Sequence, residues 1–348
     1  MMRRSARVIP LVAGALLGAC NALGPRAVEG TRVAYNEVLA RTQAEQLLLN
    51  VVRLRYVDVP LFLEVSSVNT QFEFRSSADA GISGDLHDSL SEHGVDVGVG
   101  FSVVEKPTVS YVPLQGDAFV KQMMAPVDLD TVVLLTRAGW SAYRVLRVCA
   151  QSLSGLPNAP SAAGPAPDFE PDYVEFDRAV TLLRAHQRER VGGVDRDDAG
   201  AYVLRVDADA ADTAELRALL GLPAGAVFPL RAGGRREPGV VSVETRSLLG
   251  AMFYLSQGVD LPAPHAAEGR AVTTPGAGWN AYMAGLFHVR STAARPADAV
   301  VAVRYRGWWY SIDDSDISSK ATFAMLSYLF AVQSGDRSTR GPALTIGL

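Results

Sequence analysis

The sequence has little cysteine, little lysine and little histidine. Two cysteines in 348 residues, Cys20 and Cys149, exclude a disulfide-dense scaffold and a four-cysteine zinc site. Lysine occurs only at Lys106, Lys121 and Lys320, so the 33 basic residues are almost all arginine. The formal net charge is −4, which argues against a general nucleic-acid binder, and no nucleic-acid partner is expected. No apolar run reaches the ~20 residues that a helix needs to cross a bilayer core. The apolar stretch Ala321–Val332 (ATFAMLSYLFAV) has the length of a buried core helix. The five histidines never pair at i,i+3 or i,i+4. There is no GxSxG elbow, HExxH, Walker loop or EF-hand loop. The commonest catalytic spacings are therefore absent, and no metal or free cofactor is expected.

Hydrophobic residues make up 48% and charged residues 20%, a globular balance that excludes wholesale disorder. The length suits about two domains. The most informative segment is the first. Arg3, Arg4 and Arg7 form a cationic region, and Val8 to Leu17 form a short apolar one. Leu17-Gly18-Ala19-Cys20 follows. This order of parts is that of an export signal.

The run Leu17–Cys20 resembles the lipobox of bacterial lipoproteins. That resemblance implies diacylglycerol on the Cys20 thiol, cleavage between Ala19 and Cys20, and a further acyl group such as palmitate on the new amine. Covalent lipid on Cys20 is thus the only non-protein group expected. Two or more acyl chains anchor a protein stably, so the membrane is an expected partner. Residue 21 is Asn, and in the resembled family that favours the outer membrane over the inner one. Loss of residues 1–19 removes three arginines and takes the formal charge from −4 to −7.

Residues 20–32 read as a lipidated tether, with a reach of about 20 Å as a random coil. Beyond it the pattern predicts an α+β fold: an N-terminal helix with antiparallel strands and helices, then a mixed α/β C-terminal half. A helix is expected over Val33–Tyr56, where Ala44, Leu47, Leu48, Val51 and Val52 recur at helical spacing. Val95, Val97, Val99, Phe101 and Val103 alternate with polar or glycine residues and predict a strand. Pro107 is expected to end that strand, with Thr108–Val112 as its partner. Ser76–Gly94 reads as a loop or short helix, and Ser141–Leu153 as a helix. Pro157–Pro171 contains five prolines and reads as a linker. The expected domains are therefore 33–156 and 172–348, on either side of it.

Candidate site residues are few. Asp313, Asp314 and Asp316 follow Trp308 and Trp309, a weak pattern for a cation or sugar site: carboxylates for ligation, flat rings for stacking. Acidic residues also favour a helix start, and that reading is preferred. His87 and His93 flank Asp88 and Glu92 in a segment that reads as a solvated loop. Cys149 reads as a buried structural cysteine. The phrases Glu45–Ser67, Gly139–Gln151 and the tail from Trp308 are similar to a family of bacterial envelope lipoproteins. That likeness implies no activity, substrate or site residue. The expected function is non-catalytic: a lipid-anchored, periplasm-facing binding or scaffold component of an envelope assembly, with envelope proteins as partners. The alternatives are a carrier of a lipid or other apolar ligand, and an envelope hydrolase using Asp313, Asp314 or Asp316 as acid or base.

Overall fold

The computed structural model describes residues 33–83, 94–114, 116–164, 172–210, 212–271 and 278–334, with side chains described at all of these except 69–107 and 280. The fold is α+β with an N-terminal helix. The described residues divide into two compact units, one built on 33–60 and 117–334, the other on 61–83 and 94–116 without 115. The signal, the tether, His87 and His93 lie outside the described residues.

In the second unit the described residues form one antiparallel hairpin. Strand β1 (Leu63–Ser83) pairs with β2 (Gly94–Pro113) along almost their whole length. This corrects three sequence expectations. Ser76–Ser83 is strand rather than loop, Thr108–Val112 continues β2 rather than returning beside it, and Pro107 sits within β2 opposite Thr70. Proline donates no hydrogen bond, and it is tolerated here because both strands of a two-stranded sheet are edges. The one register shift falls between Val65 and Ser67.

The first unit begins with helix α1 (33–55), whose predicted apolar stripe is buried at Leu47, Leu48, Val51 and Val52 and half-buried at Ala44; Leu54 is buried as well. It ends where Asp58 N–H reaches the Arg53 carbonyl and Val57 N–H the Leu54 carbonyl, with Val57 left-handed at φ 60°. Three short helices follow: α2 (Asp117–Met124), α3 (Leu129–Arg137) and α4 (Ala142–Cys149). The helix expected to run to Leu153 stops at Cys149. Residues Ala150–Leu153 instead form strand β3, which pairs with β8 (Val241–Thr245). Pairing with a strand about ninety residues away overrides local helical pattern.

The main sheet has six strands in the order β4 (Leu156–Pro157), β3, β8, β7 (Val227–Ala232), β6 (Tyr202–Val206), β5 (Gly192–Arg196). Only β7 and β8 are parallel. Strand β5 opens on Gly192-Gly193. A side chain at Gly192 would place its Cβ 2.9 Å from the Arg205 carbonyl oxygen, so the close strand approach needs glycine there. Helices α5 (Val174–Glu189) and α6 (Thr213–Leu220) pack on one another and on this body.

Strands β3 and β4 precede the proline-rich segment and β8 follows it, so one sheet spans the expected linker. The domain division therefore differs from the one expected at 157–171. The reason is local: Asn158 and Ala162 are buried, and the 3-10 turn Pro160–Ala163 packs on helix α7 (Leu248–Ser256). Helix α7 is apolar on all sides, and Ser247 caps it by accepting from Gly250 N–H at 3.0 Å. Short helices α8 (Ala263–Ala267) and α9 (Trp279–Met283) follow. A second antiparallel sheet has the order β10 (Ala299–Tyr305), β11 (Trp308–Asp313), β9 (Arg290–Thr292), and helix α10 (Ile317–Ser334) ends the described chain. No helix among the described residues is long and apolar enough to cross a membrane.

Candidate functional site

The three acidic candidates lie where β11 turns into α10, and each carboxylate has its own partner. Asp313 pairs with Arg290 and accepts from the Ser315 backbone N–H at 2.8 Å. Asp314 pairs with Lys320 at 2.6 Å. Asp316 accepts from both Ser319 N–H (3.0 Å) and Ser319 Oγ (2.6 Å), which caps the first turn of α10. Trp308 and Trp309 are half-buried on β11. Trp308 meets the His265 ring edge-on at 6.3 Å, and Arg295 stacks over Trp309 at 5.2 Å. The local chemistry is that of a helix start. Among the described residues no group of three or more His, Cys, Asp or Glu is placed to hold a metal ion.

Two buried polar clusters gave no sequence signal. The first joins α4 to α7 through two arginines, Arg147 (2% exposed) and Arg246 (1% exposed). Arg246 donates to the carbonyls of Ala150 (2.6 Å), Arg147 (3.0 Å) and Asn158, and stacks over Tyr254 at 4.1 Å. Two of those carbonyls end α4 or follow it directly, so the cation also meets the negative end of that helix. Arg147 donates to the Tyr143 hydroxyl and the Tyr282 carbonyl, approaches Asp177 at 3.4 Å, and lies over the Tyr282 ring at 4.2 Å. Asn158 knits the two by donating to the Arg147 and Ala150 carbonyls while accepting from the Tyr282 hydroxyl. Cys149 lies beside this cluster, fully buried, and burial pushes its thiol up to about 12. It is not a nucleophile at neutral pH.

The second cluster is aromatic. Tyr56, just past α1, is hydrogen-bonded to Tyr310 on β11 at 2.5 Å and to His265 Nδ1 at 2.6 Å. Its ring packs edge-on against His265, Tyr305 and Tyr310. Asp58 joins the rim through Tyr305 and Arg306. Burial, aided by the positive charge of Arg270, lowers the His265 pKa. His288 behaves oppositely: its 2.9 Å bond to Asp260 raises its pKa. The two histidines belong to separate clusters and form no catalytic pair.

A cavity of about 240 Å³ lies between α3, α4, α5 and the main sheet. Its wall is mostly aliphatic, with Val132, Leu146, Leu153 and Val243 among the lining residues. His186 also lines it, 3% exposed and without a hydrogen-bond partner at either ring nitrogen among the described residues.

The hairpin is the remaining feature. Among the described residues it is a sheet of two strands, with a row of backbone donors and acceptors along each outer edge. Its alternation was legible in β2, but its length and continuous register were not. No protein-family model, no curated protein and no solved structure matches the chain.

Proposed function

We propose that this protein is a lipid-anchored component of a bacterial envelope assembly and that it works by binding rather than by catalysis. The observation that carries the reading is the hairpin of strands β1 and β2, about twenty residues on each side, which pairs with no third strand among the described residues. Long open edges pair with other chains unless something blunts them. The lipobox at Leu17–Cys20 adds the anchor, with acyl groups on Cys20 holding the mature chain to the periplasmic side of the outer membrane. The carboxylates that would serve a hydrolase, Asp313, Asp314 and Asp316, are each engaged in an ion pair or a helix cap.

Membrane fractionation of the wild type beside Cys20→Ser tests this. The wild type is expected in outer-membrane fractions with a constant set of co-purifying protein, and the variant in the soluble periplasm without it. A Cys20→Ser variant that keeps both location and partners would refute the anchor. A wild type that is anchored but always runs alone would refute the assembly role.

One observation favours a second reading, a carrier of a short apolar ligand: the aliphatic cavity with His186 at its wall. It is smaller than the ~300–1,000 Å³ typical of drug-sized sites, so a single short acyl chain is the fitting class. Native mass spectrometry is expected to show an apolar adduct on wild type and none on Leu146→Trp, which fills the space. A wild type of bare polypeptide-plus-anchor mass speaks against the carrier.

A further inference from the structure

The register of the hairpin sorts its residues onto two unlike faces. Residues directly opposite in an antiparallel pair share a face, and successive residues alternate. Over 74–82 and 95–103, one face takes Phe74, Ala78 and Ile82 opposite Val103, Val99 and Val95. Nine of the ten positions on this face are apolar, Ser76 being the exception. The other face of the same span takes Arg75, Asp79 and Asp96 with only serine and glycine besides. Charge returns on both sides of the band. Glu105 pairs with Phe72 and Lys106 with Gln71 at one end. At the other, residues 84–93 read GDLHDSLSEH.

The dimensions of this band match a bilayer. Nine residues per strand extend about 30 Å at ~3.3 Å each, and a tilt of about 40° brings the height to ~23 Å. The apolar belt of outer-membrane barrels is ~25 Å tall, and its strands alternate apolar with polar residues over ~10 positions. A soluble hairpin has no need of an apolar face that stops at charges on both ends after that distance.

A lone hairpin cannot enter hydrocarbon, because its outer backbone groups would lose water and gain no partner. Among the described residues no other strand pairs with the hairpin, so the closing strands are assigned to other chains. The chain's other described strands belong to two separate sheets. From this geometry we propose that the hairpin is a membrane-inserting element, and that copies of this chain pair β1 of one with β2 of the next to close a transmembrane β-barrel. The apolar face meets lipid, and the face carrying Arg75, Asp79 and Asp96 lines a water-filled lumen. Eight strands are about the fewest that close such a barrel, so four or more copies are required. The inference rests on the anchored-assembly reading above and names its partner as further copies of the same chain.

Single cysteines placed along β2 of the full-length lipidated protein test this. Cys20 is blocked by lipid and Cys149 is buried, so the introduced thiol alone takes a fluorophore. The protein is reconstituted into phosphatidylethanolamine–phosphatidylglycerol vesicles. Probes at Val97→Cys, Val99→Cys and Phe101→Cys are expected to be quenched by nitroxide on the lipid chains. Probes at Gly98→Cys, Gly100→Cys and Ser102→Cys are expected to be quenched by aqueous iodide. In planar bilayers, step conductance is expected from the wild type and lost in Val99→Asp, whose body melts normally. Gly100→Asp, on the lumen face, is expected to keep conductance and to gain cation preference. Iodide quenching at all six positions, or conductance untouched by Val99→Asp, overturns the proposal. Cross-linking that captures a different protein on the hairpin, with no lipid quenching, overturns the barrel yet leaves the anchored-assembly reading intact. Failure of that reading shows separately, as a Cys20→Ser variant that stays on the membrane.

Discussion

Arg246→Met is expected to lower stability by about 4 kcal/mol. The side chain is fully buried, and its guanidinium is the shared donor for the carbonyls of Arg147, Ala150 and Asn158. Methionine fills the space and removes every donor. The Asn158 amide still reaches two of those carbonyls, but the Asn158 carbonyl loses its arginine and the end of α4 loses its cation. Burial lowers the Arg246 pKa, yet a guanidinium stays charged, so the wild type bears a desolvation cost that only these acceptors offset. Thermal melting checks the effect, with a fall of roughly 8–16 °C for a body of this size. Arg246→Lys should recover less than half, because an ammonium cannot serve carbonyls in several directions with a planar fork. A Met variant within about 2 °C of wild type would show that the carbonyls are satisfied without the arginine.

Tyr56→Ala is expected to cost about 4 kcal/mol, and Tyr56→Phe about 2 kcal/mol. The alanine change empties a site bounded by the rings of His265, Tyr305 and Tyr310, and frees α1 from β11. The phenylalanine change keeps those contacts and strands the buried Tyr310 hydroxyl and His265 Nδ1. Urea unfolding separates the two; equal losses would mean that the hydroxyl bonds contribute nothing. The same cluster sets a pH response. The folded pKa of His265 is lowered, while the unfolded ring titrates near 6.5. Above that pH both states are neutral and His265 adds no pH slope. As pH falls below about 6.5, the unfolded state takes up a proton that the folded state refuses, and stability drops. His288, with a raised folded pKa, works the other way and favours the folded state below about 6.5. Comparing wild type with His265→Gln at about pH 7.5 and 5.5 isolates the first term. The variant should lose less stability on acidification, and an equal or larger loss would contradict the buried neutral ring.

The elements that proved legible were those whose signal is local. The apolar spacing of Leu47, Leu48, Val51 and Val52 gave α1, and Gly221, left-handed at φ 69°, ends α6 as a glycine beyond a helix end does. Gly307 turns β10 into β11 for the same reason. Where partners far along the chain decide, the reading failed. β3 looks helical until β8 claims it. The prolines of 157–171 suggest a linker, yet Asn158 carries the core hydrogen bonds.

The candidate chemistry followed the same division. A cluster of aspartates beside tryptophans is visible in any listing of residues, and its partners Arg290, Lys320 and Ser319 show that it starts a helix. The buried arginines carry no such mark. Nothing near Arg246 in sequence announces that it will sit at the end of α4, about a hundred residues earlier.

By itself the sequence determined the α+β class, most element positions and the alternation of the best strand, because periodicity, capping and turn chemistry act over a few residues. The tertiary structure alone decided that one sheet crosses the proline-rich segment, that two arginines lie at the core, and that β1 and β2 run in register as one hairpin with an apolar band on one face. Those outcomes depend on which distant segments pair, and pairing is set by the hydrogen bonds and burial that only the folded chain brings together.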